Sequence, residues 1–113
     1  MHEMGIVLNI VRDAEQIAKA NEAEGVASVV LQIGELTGVI PNYVQICWVA
    51  AIEKTLLSSA ALIIEEIPGN GICKKCGMVY KLLEHDLKCP DCGSEAFDTL
   101  SGREVVIKEI AVF

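Results

Sequence analysis

The sequence predicts an α+β fold, with two helices packed on a three-stranded sheet and an inserted four-cysteine module. Three observations carry that reading. Apolar residues recur first at helical spacing and then in alternation, twice over along the chain. A Pro-Gly-Asn-Gly run at residues 68–71 closes the second alternating stretch with a strong turn signal. Two C-x2-C-G knuckles then follow before a last alternating stretch.

The first helix is expected over residues 4–22. Val7, Ile10 or Val11, Ala14, and Ile17 or Ala18 mark its apolar face, and Arg12, Asp13, Glu15, Gln16 and Lys19 its wet face. Gly25 is the expected terminator. Over residues 26–36 the period becomes two: Val29, Leu31 and Ile33 alternate with Ser28, Val30 and Gln32, which suits a strand with one buried face. Pro41 suits the first position of a second helix running to about residue 55. That helix is apolar nearly all round, from Val44 through Ile46, Trp48 and Val49 to Ile52, so it is expected to be largely buried. Cys47 within it reads as a small hydrophobe.

Residues 61–67 form the second predicted strand and residues 104–113 the third. In the third, Val105, Ile107 and Glu109 oppose Val106, Lys108 and Ile110. Residues 1–71 and 98–113 are therefore assigned to the α+β domain and residues 72–97 to the metal module.

In that module Cys73 and Cys76 form one knuckle and Cys89 and Cys92 the other, each followed by glycine, with twelve residues between them. A two-residue gap lets both sulfurs of a knuckle face one ion. The following glycine can adopt positive φ and turn its amide toward a sulfur. Four thiolates in a tetrahedron suit a closed, structural Zn²⁺ site. A rubredoxin-like iron site is the rival, but only Tyr80 and Phe97 supply aromatic cover. His85 lies in the spacer and reads as a solvated loop residue.

Composition excludes several classes. The chain of 113 residues is 52% hydrophobic, enough for a core, and carries a net charge of -7, which repels nucleic acid. No stretch is apolar enough for a membrane span. Glu3, Asp13 and Glu15 stand where a signal peptide would be basic or apolar, so a cytoplasmic location is expected. There, cysteines serve as metal ligands rather than disulfides.

The chain opens Met1-His2-Glu3. An α-amine, deprotonated backbone amides and an imidazole make a nitrogen-rich, square-planar set that suits Ni²⁺ or Cu²⁺. Histidine is a large second residue, so Met1 is expected to be retained.

Taken together, Met1-His2-Glu3 at the head of an amphipathic helix, the Val-x-Leu-x-Ile-Gly-Glu-Leu run of residues 29–36 and the two knuckles resemble the HypA family along essentially the whole chain. These are nickel metallochaperones of [NiFe]-hydrogenase, and sometimes urease, maturation. The resemblance implies nickel bound by the Met1 amine, His2 through backbone and imidazole, and Glu3 through its backbone. It implies structural zinc at Cys73, Cys76, Cys89 and Cys92. As partners it implies a HypB-type GTPase and the hydrogenase large subunit precursor, with no nucleic acid and no membrane. A homodimer made by exchanging elements stays open. Cys47-Trp48 departs from the phenylalanine-type residues expected in the second helix. The competing class is a zinc-ribbon adaptor of transcription or translation machinery. It requires a basic, aromatic face, whereas Glu84, Asp86 and Asp91 nearly neutralise Lys74, Lys75, Lys81 and Lys88.

Overall fold

A computed structural model describes residues 2–113 and shows an elongated molecule of 55 × 26 × 16 Å. Its two helices are α1 (Glu3–Ala20) and α2 (Pro41–Ala51). The strands are β1 (Val26–Gly34), β2 (Ala61–Ile67), β3 (Asn70–Cys73), β4 (Val79–Lys81), β5 (Phe97–Thr99) and β6 (Val105–Val112). One sheet has the order β2-β1-β6, with β1 parallel to β2 and antiparallel to β6. The second sheet, β4-β3-β5, is antiparallel throughout and carries the first knuckle at its end.

Helix α1 buries Val7, Ile10, Val11, Ala14 and Ala18, so of the two predicted alternatives near its end Ala18 faces the core and Ile17 faces solvent. It stops before Gly25. Glu22 takes φ +54°, its amide donates to the Lys19 carbonyl at 3.0 Å, and the Ala23 amide donates to Ala18 at 2.9 Å. This paired 5→2 and 6→1 closure is the Schellman pattern, with glutamate at the position glycine usually fills. Gly25 is instead engaged with the Phe113 backbone beside β6.

Val29, Leu31 and Ile33 of β1 join the core, as the alternation predicts, but Val30 on the opposite face is buried as well. In β6 the alternation fails halfway. Leu31 pairs with Ile107 while Val30 pairs with Glu109, so Lys108 is an extra residue in a bulge. A bulge flips the phase of everything beyond it. Ile110, rather than Glu109, therefore joins Val105 and Ile107 against the core.

Helix α2 is also less buried than its composition predicts, and it ends at Ala51. Val44 and Trp48 are buried, but Ile46 and Val49 are each 67% exposed and Tyr43 is 52% exposed. Helix α2 lies mainly against α1 and touches the sheet at β2, and that packing covers only one stripe of its surface, whatever residues lie on the other side. Trp48 fits the core without strain on its polar end, because its indole Nε1 donates to the Ala60 carbonyl at 3.2 Å. Cys47 is half-buried against the same core.

The two sheets meet through backbone. The Leu36 amide donates to the Gly102 carbonyl at 2.8 Å and the Leu82 amide to Gly69 at 2.9 Å. Gly102 sits at φ +94°, and a Cβ there would lie 2.6 Å from the Gly69 Cα, so only glycine fits. Leu36 then packs against the buried cluster of Cys73, Tyr80, Leu82 and Cys89, formed by the second sheet and the loop beyond it.

Candidate metal centre

Each knuckle is a tight turn that brings two sulfurs to one side. Gly77 and Gly93 take φ +80° and +75°. Their own amides donate to the Cys73 and Cys89 carbonyls at 2.9 and 2.8 Å, closing the turns, rather than to sulfur as the sequence reading expects. The amides that face sulfur come one residue later or from within the knuckle. Met78 serves Cys76, Ser94 serves Cys92, and Lys75 and Cys76 serve Cys73 at 3.4 and 3.5 Å.

The two turns converge. Cys73 Sγ lies 3.6 Å from Cys92 Sγ, Cys76 Sγ lies 3.5 Å from Cys89 Sγ, and all four sulfurs fall within 4.8 Å of one another. Metal–sulfur bonds of about 2.3 Å in a tetrahedron place sulfurs about 3.8 Å apart. The donor set thus fits a closed four-thiolate metal site. Cys73 and Cys89 are buried, while Cys76 and Cys92 are exposed. His85 stands outside the cluster, exposed in a 3-10 turn and edge-on to Tyr80.

Four thiols this close do not ionise independently. Amide donors, Cys76 first and Lys75 after it, hold the Cys73 thiol down at about 6 against the opposing effect of burial. At Cys76 the Met78 amide also favours ionisation, but Cys89, burial and the other sulfurs outweigh it and push the thiol up to about 12. Cys92 is raised as well, with burial and the Cys73 sulfur overcoming the Ser94 amide. The ionised Cys73 sulfur therefore opposes ionisation of Cys76 and Cys92. Tyr80 is raised by burial first and then by the charges of all four cysteines.

The lysines around the knuckles are largely paired. Lys74 meets Asp98 at 3.5 Å, Lys81 meets Glu84 at 3.7 Å and Lys88 meets Glu95 at 3.7 Å. Asp98 and Glu95 do the balancing that the sequence reading gave to Asp86 and Asp91.

Of the N-terminal candidates, Met1 lies outside the described residues. His2 is exposed and caps α1, its carbonyl accepting from the Ile6 amide at 3.1 Å. Glu3 is the surprise. Among the described residues it is the one buried charged side chain, only 5% exposed, and its Oε2 accepts from the Ile40 amide at 3.3 Å. The start of α1 is thereby tied to the start of α2. A sequence signal for Glu3 existed, an acid in a helix's first turn, but its acceptor role toward residue 40 had none.

A small helix–sheet body with an appended four-sulfur cage is the framework of a metal-handling protein. Residues 1–112 match the family model described as hydrogenase/urease nickel incorporation, metallochaperone, hypA. The hydrogenase maturation factor HypA of Streptomyces avermitilis is 39% identical over 112 residues, covering 97% of this chain and 86% of its own length. That of Geobacter metallireducens is 38% identical, covering 99% of both. The solution structure of the Ni metallochaperone HypA from Helicobacter pylori superposes with a TM-score of 0.71 at 25% identity, covering 99% of this chain and 97% of that one. A second solved HypA structure gives 0.74 at 25% identity. The chain belongs to the HypA family, the nickel metallochaperones of [NiFe]-hydrogenase maturation. Such proteins act as chaperones rather than catalysts. Among the described residues no helix is long and apolar enough to cross a membrane.

Proposed function

We propose that this protein binds nickel at Met1, His2 and Glu3 and passes it to the [NiFe]-hydrogenase large subunit precursor, working with a HypB-type GTPase, while Cys73, Cys76, Cys89 and Cys92 hold one structural zinc. The observation that carries the reading is membership of the HypA family along the whole chain, joined to a four-sulfur cluster of tetrahedral dimensions. Zinc is chosen over iron on donor chemistry, since soft thiolates in a closed tetrahedron suit Zn²⁺. The zinc supplies rigidity to a module with little else to hold it.

The local chemistry at the N-terminus supports a nickel chelate there. Glu3 stands at the first helical position, where an amide has no helical acceptor and is free to lose its proton to a metal. Its carboxylate is engaged with the Ile40 amide, which favours a backbone role for Glu3 in the chelate. Amine and imidazole must both shed protons to coordinate, so acid opposes binding.

Calorimetry with Ni²⁺ on the native, N-terminally extended and His2→Ala proteins tests this near pH 7.5 and pH 6. Both changes should abolish tight nickel binding with zinc content and folding intact, and the native protein should bind more weakly at the lower pH. Unchanged affinity in the extended protein would end the amine-ligand reading.

A further inference from the structure

Strand β6 is an edge of its sheet, paired with β1 along one side and, among the described residues, with no strand along the other. The Gly34 amide donates to the Glu104 carbonyl at 2.9 Å, and the register runs on with Val105, Val106 and Ile107 opposite Ile33, Gln32 and Leu31. Backbone groups alternate in direction along an antiparallel strand, so those of Glu104 and Val106 point to β1 and those of Val105 and Ile107 point outward. Among the described residues none reaches these outward groups. Edge strands are usually guarded by a lysine or a bulge. Lys108 supplies both, yet it guards little. Its Nζ is drawn across the sheet face to Glu65 at 3.2 Å, and the bulge begins only after residue 107. The other edge, β2, is partly covered, since the Gln45 side chain donates to the Leu62 carbonyl at 3.3 Å.

Beside the open edge lies a groove between α1 and β6, lined by Ile6, Ile10, Leu31, Val105 and Ile107. Asp13 at its margin is paired with Arg12 at 3.8 Å. The stretch Arg103-Glu104-Val105-Val106-Ile107-Lys108-Glu109 is complementary to itself when run antiparallel about Val106. Val105 then meets the partner's Ile107, and these are the residues whose backbone groups point outward. Glu104 meets the partner's Lys108, and Arg103 meets the partner's Glu109. Among the described residues Arg103, Glu104 and Glu109 have no ion pair within their own chain. Opposite charges facing each other across paired strands are stabilising. We propose that a second copy of this chain docks on β6, the two strands pairing about a two-fold axis at Val106 and joining two three-stranded sheets into one of six. That axis stands normal to the sheet, so both helix layers lie on one side and the two apolar grooves face each other. No element is exchanged between the copies, and the contact involves neither metal site.

Sedimentation velocity over a dilution series, with hydrogen exchange on the same full chain, tests this. A dimer that dissociates on dilution is expected, with the Val105 and Ile107 amides protected only where the dimer is populated. Val106 is 41% exposed and points away from the core, so a charged side chain there leaves β6 in place. At the axis, the residue meets its own copy. Val106→Lys and Val106→Glu should each weaken the dimer at least about fivefold, because like charges then stand directly opposite. An equimolar mixture of the two variants should recover it as a heterodimer with opposite charges at the axis. That recovery excludes misfolding as the cause of the loss. A chain that stays monomeric at every concentration would overturn the proposal. So would a dimer unmoved by both substitutions, or one whose Val105 and Ile107 amides exchange freely, as swapped elements or a contact through α2 would give.

Discussion

The helix–sheet body and the knuckle module hold their shape by different means. In the first, Val7, Val11, Val29, Leu31, Val44, Trp48 and Leu57 belong to one buried apolar cluster with contributions from both helices and the sheet. In the second, the buried cluster is Cys73, Tyr80, Leu82 and Cys89, with Leu36 and Phe97 packed against it. Two of those four are sulfurs of the metal cage. Fully burying an aliphatic side chain is worth about 1.5–3 kcal/mol, so burial maintains the first region and is too sparse to maintain the second. The lesson is that one chain can place its folding energy in oil at one end and in coordination at the other. Each region then answers to a different perturbation.

The largest effect should come from the cage. Cys73→Ser or Cys92→Ser removes one thiolate and puts at stake metal-binding energy of about 10–16 kcal/mol. Zinc should be lost and residues of β3, β4 and β5 should lose amide protection, while α1, α2 and β1 keep theirs. Metal analysis with hydrogen exchange checks this, and full zinc occupancy in both variants would refute the four-thiolate assignment.

Leu57→Ala is the reciprocal experiment. Leu57 is completely buried in the link between α2 and β2 and touches no part of the cage. The cavity should cost about 2–5 kcal/mol in denaturant unfolding of the helix–sheet body. Zinc content should stay at one per chain, and a zinc loss in parallel would show that the two regions share their stability through the Leu36 and Gly102 junction.

The smallest effect is a proton count. Free cysteine titrates with a reference value of 9.0, yet Cys73 is held at about 6 in the fold. A group lowered in this way keeps its charge as pH falls from 9 and loses it only on passing about 6. At pH 7.5 Cys73 has therefore already ionised, and zinc binding should release fewer than four protons. The number should rise toward four below pH 6, and zinc affinity should fall with it. Calorimetry in buffers of different ionisation enthalpy reads the count directly. Four protons at pH 7.5 would mean that the amides of Lys75 and Cys76 do not favour the Cys73 thiolate.

What the sequence determined by itself is what depends on neighbours in the chain. The knuckles are spacing motifs closed by glycines at Gly77 and Gly93, so they were legible residue by residue. The α1 face and the inward set of β1 follow from periodicity, and the α+β class follows from the order of those periods. What the tertiary structure decided involves partners far apart in sequence. The bulge at Lys108 exists only in register with β1, and it exchanged Glu109 for Ile110 at the core. The exposure of Ile46 and Val49 depends on how much of α2 its neighbour α1 and the sheet can cover, which composition does not record. Glu3 finds the Ile40 amide 37 residues away, and Tyr80 comes to face Cys73 and Cys89 only because β3 and β4 pair Tyr80 with Gly71. Periodicity reports which face of an element is apolar; it carries no information about the register that decides what that face meets.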